Sequence, residues 1–347
     1  MSALMTSEIA SAALVAVVRR IADEELFPHA LETDAAAVLP AARLDVLADA
    51  GFYGLVGPRE AGGLAADPGT VARVTEALAS GCLTTAFVWA QHHNAVATVA
   101  TGASDEVRRT WLADLCSGRV RAGVAFAGLR RPGPPVLTAE ASDTSVVLDG
   151  FAPWVTGWGR VDVVHCAARN AVGDVVWLLV DAVEGPSLEI EPLRLAAVNA
   201  SATVTARFLG HAVARDRVTL IEPYETWLER DASGLRRNGA MALGVAARCT
   251  TLLSERAFSV ELDACRRALE SAEVDDVPAM RARVADLAVR SACALVASGG
   301  GKSLLVTEHA QRLVREAVFL LVFGQTPSIK AAELDAYRRI AEAGGAR

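Results

Sequence analysis

Two adjacent histidines are the side chains of this 347-residue chain whose type best suits proton transfer. His92 and His93 end a largely apolar segment that begins at Thr85. Imidazole is the side chain whose charge changes near neutral pH, so it can act as an acid or a base there. Two interpretations stay open. One of these residues is a hydrogen-bonded core histidine at a helix end, or one of them faces a ligand pocket.

Two other sequence features could suggest a functional site, but a structural explanation suits each of them better. Gly299-Gly300-Gly301-Lys302-Ser303 resembles the end of a Walker A loop, but Val296 stands where that motif requires its first glycine. The run also follows a helical pattern instead of a strand, which predicts a turn between helices.

Six cysteines are far apart without a C-x-x-C pair, which predicts buried free thiols, no metal site and a cytoplasmic location. They are Cys82, Cys116, Cys166, Cys249, Cys265 and Cys293.

The charge balance excludes one class of partner. Acidic residues number 41 against 34 basic ones, a formal charge of −7, which argues against a nucleic-acid surface because phosphate neutralisation needs clustered Lys and Arg. Hydrophobic residues make up 52% of the chain, ample for a large core. No window approaches the roughly 18 consecutive apolar residues of a membrane span, so we expect no membrane insertion.

The elements that must position these residues fall into three parts. Apolar residues recur with helical period at Leu14, Val17, Val18 and Ile21, again at Leu44 and Leu47, and again at Val71, Val74 and Leu78. Short β-branched runs then dominate, bounded by turn signals, at Val146–Leu148, Val163–Ala167, Val175–Val180 and Val204–Phe208. Helical period returns after Pro223.

This order predicts an α+β fold. We expect an N-terminal helical domain over residues 1–120, an antiparallel β-barrel or sandwich over 121–222, and a C-terminal four-helix bundle over 223–347. In the bundle, Pro278 is expected to open a helix, because proline suits the first helical turn.

The order of the parts, together with local motifs, resembles the acyl-CoA dehydrogenase family. The motifs are Leu47–Leu55 with Pro58–Gly63, Thr85–Asn94, Trp154–Thr156, Asn199–Thr203 and His309–Ala317. The resemblance implies FAD, with FMN as the alternative flavin, between the β domain and the bundle and across a subunit interface. It also implies that Thr156 lies near the reactive nitrogen of the flavin. The residues implied to bind cofactor are Phe126, Arg130, Arg131, Trp154, Val155 and Thr156. Without the resemblance, Trp154 is a core aromatic residue and Thr156 an ordinary strand residue.

The same resemblance makes the missing base conspicuous. In that family a Glu removes the proton α to a thioester carbonyl while hydride leaves the β carbon for the flavin. Phe323 stands at the usual position of this Glu, and the minority position falls near Ser233-Gly234-Leu235-Arg236, also without a carboxylate. Glu316 and Glu333 are expected to be solvated helix charges. The weak catalytic candidates that remain are His92 and His93.

Three further family features are absent. The T-E turn that holds the flavin's polar edge falls on Arg130-Arg131, and the R-x-x-F-G motif would fall near Val260–Ala264. Asn199 replaces the Arg of R-x-S-x-T. These differences weaken the prediction of activity more than the prediction of fold.

Three functions stay open. The first is a flavoprotein oxidoreductase acting on an acyl thioester, either acyl-CoA or carrier-bound, with an unidentified base. The second is a flavin-dependent monooxygenase, in which His92 or His93 near the ring would hydrogen-bond an oxygenated flavin. The third is a catalytically silent subunit of a mixed oligomer. The six apolar residues Val318–Phe323 predict a homo- or hetero-oligomer, since one helix cannot bury them against its own domain.

Overall fold

The chain has the predicted order of helices, strands and helices. The computed structural model describes the backbone of residues 2–345 and the side chains of residues 9–232, 234–339, 341 and 342. The N-terminal helices are α1 (Ser2–Ile21), α2 (Ala30–Ala35), α3 (Ala42–Asp49), α4 (Pro68–Gly81), α5 (Leu83–Thr101) and α6 (Asp105–Ser117). The strands are β1 (Ala122–Ala125), β2 (Leu137–Ala141), β3 (Ser145–Val155), β4 (Val163–Arg169), β5 (Val175–Asp181), β6 (Leu188–Pro192), β7 (Val204–Ala214) and β8 (Val218–Glu222). The C-terminal helices are α7 (Tyr224–Leu253), α8 (Arg256–Ser271), α9 (Val277–Gly299), α10 (His309–Val322) and α11 (Pro327–Gly345).

Local sequence explains where the N-terminal helices begin and which faces they bury. Asp67 caps α4 by accepting a hydrogen bond from the Thr70 amide at 3.0 Å, and Pro68 follows at the first helical position. The predicted stripes of α3 and α4 are buried as expected. On α1 Val18 and Ile21 are buried as predicted, and only Val17 departs from the predicted face. Val15 is buried there and Val17 is 38% exposed.

Helix α5 lies in the interior of the N-terminal part. It contacts α4, α6 and β1, and most of its residues from Leu83 to Val99 are buried. A helix that is apolar around its whole circumference belongs in a core. The two histidines are therefore held on a rigid, enclosed element.

The β part is one sheet of eight strands. Its order is β6-β7-β3-β2-β4-β5-β8, and β1 pairs with β4. Neighbours are antiparallel except that β1 and β2 each run parallel to β4. Alternating side chains of the sheet form a core that includes Leu148, Cys166, Leu178 and Phe208. The prediction of a mainly antiparallel β domain is confirmed.

The C-terminal part is a helical bundle around α9, which packs against α7, α8, α10 and α11. Helices α7 to α10 supply the predicted four, and α11 is a fifth. Pro278 lies in the first turn of α9, and the glycine run is a turn between α9 and α10, as predicted. In the part of the chain that the structure describes, no helix is long and apolar enough to cross a membrane.

Three expectations about individual side chains are wrong. Glu316 is 1% exposed, because it lies on the buried face of α10 four residues after Arg312 and pairs with it. Glu333 is 7% exposed and accepts a hydrogen bond from Gln325. Both were expected to be solvated. Among the cysteines, five are buried free thiols as predicted, but Cys293 is exposed.

Candidate functional site

A cavity of about 1290 Å³ lies where the three parts of the chain meet. Its walls come from α4 and α5, from β3 at Trp154 and Thr156 just after it, from β5 at Trp177, and from α7 and α10. Pockets for small ligands usually measure about 300–1000 Å³, so this one has room for a ligand of dinucleotide size or for two smaller ligands.

Trp154 reaches the cavity because β3 is irregular there. The register between β3 and β7 shifts between Ala152 and Val155, and Trp154 has a φ of 62°. A non-glycine residue in this left-handed conformation is strained, and such bulges often redirect a side chain at a functional site. The indole is 54% exposed and lines the cavity, so it is not the core aromatic residue that a strand interior would give.

Thr156 lies next to a chain of hydroxyl groups. Its Oγ1 is 3.2 Å from Thr203 Oγ1, which is 2.8 Å from Ser201 Oγ. All three residues are buried, and Thr156 and Thr203 line the cavity. The network fixes the rotamers of the two threonines and leaves hydroxyl groups that can donate to a ligand. Val155 differs, since its side chain is fully buried in the sheet core and only its backbone is available.

Phe126, Arg130 and Arg131 follow β1 and line the same cavity. Arg130 is held by Asp231 of α7, with Nε 2.8 Å from Oδ2 and Nη2 2.6 Å from Oδ1. Its guanidinium also lies 5.1 Å from the ring centre of Phe126. Arg131 stacks over Phe151 and has no carboxylate partner among the described residues, so its charge is available to an anion.

The loop after α10 brings Phe323 to the cavity wall. Its ring packs edge-on against Phe87, with centroids 5.0 Å apart, and stacks on Phe319 at 5.5 Å. The buried Arg281 donates from Nη2 to the Phe323 carbonyl oxygen at 2.9 Å and fixes the loop. Asp231 is the one carboxylate among the described residues that line the cavity. The side chain of Ser233, at the minority base position, lies outside the described residues.

The two histidines have different environments. His92 is a core residue: its Nε2 donates to the Leu115 carbonyl at 3.0 Å and its Nδ1 accepts from the Ala122 amide at 3.0 Å. Burial lowers the pKa of His92 to about 4. His93 lines the cavity and is 3% exposed, and neither ring nitrogen has a partner among the described residues. Burial, then the charges of His92 and Arg237, hold the pKa of His93 well below its usual range.

Sequence reasoning missed three residues of the cavity wall: Thr203, Asp231 and Arg237. Thr203 ends a motif that we had recognised only for its missing arginine. Asp231 lies one helical turn before the segment Gly234-Leu235, so helical spacing alone could have found it. Nothing in the sequence indicated that Arg237 would face a cavity.

Part of the sequence of this chain is similar to known proteins. Residues 10–119 match the family model described as acyl-CoA dehydrogenase, N-terminal domain. The human mitochondrial short-chain specific acyl-CoA dehydrogenase is 27% identical over 150 residues, which are 41% of this chain and 36% of the enzyme. The N-terminal third of the chain thus resembles the acyl-CoA dehydrogenase family in sequence. The sequence match spans little more than a third of that relative's length, so the remaining relationship rests on the fold.

Solved structures extend the likeness in fold to most of the chain. Butyryl-CoA dehydrogenase from Megasphaera elsdenii superposes with a TM-score of 0.81 at 15% identity, covering 94% of this chain and 98% of that one. A glutaryl-CoA dehydrogenase from Mycobacterium smegmatis in complex with FADH2 gives a TM-score of 0.78 at 16% identity, covering 93% and 94%. At these identities the likeness shows the fold.

The residues of the cavity fit a flavin. Trp154 and Phe126 offer aromatic faces, and the Thr156 and Thr203 hydroxyl groups lie beside them. Arg131 supplies a positive charge without a carboxylate partner in the described part of the chain, which suits a phosphate. No group of three or more His, Cys, Asp or Glu side chains suitable for a metal ion occurs among the described residues.

Proposed function

We propose that this chain is a flavoprotein oxidoreductase of the acyl-CoA dehydrogenase type, which holds FAD in the large cavity and binds an acyl thioester beside it. The observation that carries the proposal is the wall of that cavity, where Trp154 and Thr156 meet Phe126 and Arg131. Bound flavin would supply hydride acceptance. The protein's own contribution is to bind and orient the two ligands and to exclude water.

Each of these residues has a task in the proposal. The Thr156 hydroxyl, held by Thr203, would donate to the polar edge of the flavin. The redirected Trp154 indole would pack against the ring, and Arg131 would stabilise phosphate. The apolar wall of Phe87, Phe319 and Phe323 would accommodate the acyl chain.

Proton removal is the step for which the cavity is poorly equipped. Asp231 is its one carboxylate among the described residues, and both of its oxygens are engaged by Arg130. A carboxylate held in this way is a poor general base. The third interpretation, a silent subunit that needs a base-carrying partner, therefore stays beside the first.

His93 supports the second candidate, a flavin-dependent monooxygenase. It is a neutral imidazole at neutral pH because burial lowers its pKa, and both ring nitrogens are free to face a ligand in the cavity. Such a group could donate a hydrogen bond to oxygen bound near the flavin. The alternative of a hydrogen-bonded core histidine applies to His92, which lies within α5 and not at its end.

Two further proposals concern organisation. We keep domain boundaries of 1–120, 121–222 and 223–347, which fall between α6 and β1 and between β8 and α7. We also propose an oligomer in which another subunit covers α10, where Val318 is 53% and Val322 is 62% exposed on one helical face, the face that also lines the cavity.

The test begins with the cofactor. The purified chain is titrated with FAD and with FMN, and binding is followed by quenching of tryptophan fluorescence. Bound flavin is then exposed anaerobically to acyl-CoA thioesters, and separately to reductant and oxygen. Reduction by thioester supports the dehydrogenase, and oxygen-dependent product formation supports the monooxygenase. If neither flavin binds at any concentration that keeps the protein soluble, the proposal fails.

A further inference from the structure

The arginines that line the cavity differ in what holds them. Arg130 pairs with Asp231, Arg230 with Glu222 and Arg315 with Asp34. Arg236 donates to the Ala272 carbonyl oxygen, and Arg131 stacks over Phe151. Arg237 has no hydrogen bond or ion pair with any described residue, although its guanidinium lies on the cavity wall. Arg237 is exposed on the cavity side, and the protein around it lowers its pKa by partial desolvation. An anion in the cavity would stabilise it.

His93 and Arg237 line the same cavity, and the charge of Arg237 is one of the causes that lower the pKa of His93. The imidazole is neutral at neutral pH and carries one N–H that no described residue accepts. A polar group that is 3% exposed and unpaired is costly unless a ligand completes it. Trp89 packs edge-on against the ring, with centroids 4.4 Å apart, and keeps the ring in place on α5.

Asn238 adds an amide to the same region. It follows Arg237 on α7 and lines the cavity, and its side chain makes no hydrogen bond to the described residues. Its Nδ2 lies against Gly324, since a Cβ built on that glycine would be 2.7 Å away. The amide is therefore beside the loop that carries Phe323.

We propose that His93, Arg237 and Asn238 bind a carboxylate at the far end of the acyl group. The substrate would then be the thioester of a dicarboxylic acid, with one carboxyl group in the thioester and the other free and ionised. This inference rests on the proposed function. One guanidinium, one neutral imidazole and one amide carry a single positive charge, which matches a carboxylate better than a phosphate dianion. The aromatic wall of Phe87, Phe319 and Phe323 would contact the methylene groups between the thioester and that carboxylate.

The experiment compares two series of coenzyme A thioesters on the flavin-loaded protein. Succinyl-, glutaryl- and adipyl-CoA end in a carboxylate, whereas butanoyl-, pentanoyl- and hexanoyl-CoA have the same carbon counts and end in a methyl group. Dissociation constants are measured by calorimetry, so no turnover is needed. At one chain length at least, the carboxylate ligand should bind about tenfold to a hundredfold more tightly, the usual worth of a charge-assisted hydrogen bond.

Arg237→Gln should abolish this preference and leave the affinity for the methyl-ended ligand within about twofold. His93→Leu should reduce the preference, and His93→Gln, which keeps a donor, should retain part of it. Arg267→Gln, on the exposed face of α8, is the matched charge control and should keep the wild-type preference.

Two outcomes separate this inference from the proposed function. If methyl-ended thioesters bind as tightly as their carboxylate counterparts at every length, or if Arg237→Gln weakens both series equally, the inference is wrong while the proposed function stands. If neither series binds, the proposed function fails and the inference fails with it.

Discussion

The ring of Phe323 packs edge-on against Phe87, with centroids 5.0 Å apart, at the position where the resemblance to acyl-CoA dehydrogenases puts a catalytic carboxylate. The backbone of this loop is well held, because Arg281 bonds the Phe323 carbonyl and Gln325 bonds Glu333. The loop is thus built to place a side chain at the cavity, and in this chain that side chain is apolar.

Phe323→Glu should therefore raise dehydrogenation of acyl-CoA substrates. The wild-type chain should show little activity with an artificial electron acceptor, because a missing positioned base costs on the order of 10² to 10⁴ in rate. Restoring a carboxylate should recover part of that factor, measured as the anaerobic rate of flavin reduction. Phe323→Gln is the control, because Gln has nearly the same shape as Glu but cannot accept the proton. A robust wild-type rate, or an equal gain in the Gln variant, would show that the base lies elsewhere.

Thr156→Val should weaken FAD binding about twofold to tenfold, because one hydrogen bond to the ligand is lost. Trp154→Ala should weaken it as well, through loss of the exposed indole. Both are measured by equilibrium titration of flavin fluorescence. Thr138→Val, in β2, removes a hydroxyl that donates to the Asp149 carbonyl of β3 and should leave flavin affinity unchanged. Unaltered affinity in both cavity variants would place the flavin elsewhere.

Sequence periodicity predicted the fold well because burial follows the period of each element. The β-branched runs became β3, β4, β5 and β7, and the helical stripes became buried faces. The errors have local causes. Val15 and Val17 are two positions apart on α1, and composition alone does not say which of the two valines faces inward. Glu316 is buried because Arg312 lies one turn away on the same face, and a surface ion pair has the same sequence spacing.

The candidate site was predictable only in part. Trp154, Thr156, Phe126 and Arg131 do line one cavity, although a role in binding is still a proposal. Which of two adjacent histidines faces inward depended on how β1 and α6 pack against α5, since these elements supply the partners of His92. That packing joins residues far apart in the chain and leaves no local pattern.

Stability should fall as the pH drops below about 6.5, partly because of His92. Burial lowers the pKa of His92 in the folded chain to about 4, and the unfolded value is about 6.5. Between these values the unfolded state binds the extra proton, so this contribution is present above pH 6.5 and is lost as the pH falls toward 4. The unfolding free energy, measured with urea between pH 5 and pH 7, should rise with pH. His92→Gln should reduce that slope by up to about 1.4 kcal/mol per pH unit. An unchanged slope in that variant would contradict the assignment.

Oligomer formation should depend on the exposed face of α10. Val318→Asp with Val322→Asp places two charges on a face that lines the cavity and that we propose another subunit covers. Light scattering at micromolar concentration should therefore show smaller particles than the wild type. Val172→Asp, at an exposed valine between β4 and β5, is the control and should leave the particle size unchanged. A wild-type chain that is a clean monomer would refute the proposal.

Removing one member of the Arg312–Glu316 pair should lower the unfolding free energy more than replacing both members. Both side chains are almost fully buried, and Nη1 donates to Oε1 at 2.6 Å, while Nε of Arg312 and Oε2 of Glu316 find no partner among the described residues. Arg312→Met or Glu316→Leu alone leaves an uncompensated buried charge and should lower the unfolding free energy by about 3–5 kcal/mol. The double variant removes both charges and should lose less than either single variant. Arg338→Met, at an exposed pair with Asp335, should change stability by under about 1 kcal/mol. Urea unfolding of the four variants decides the matter: additive losses in the double variant would mean that the two charges do not act as a pair.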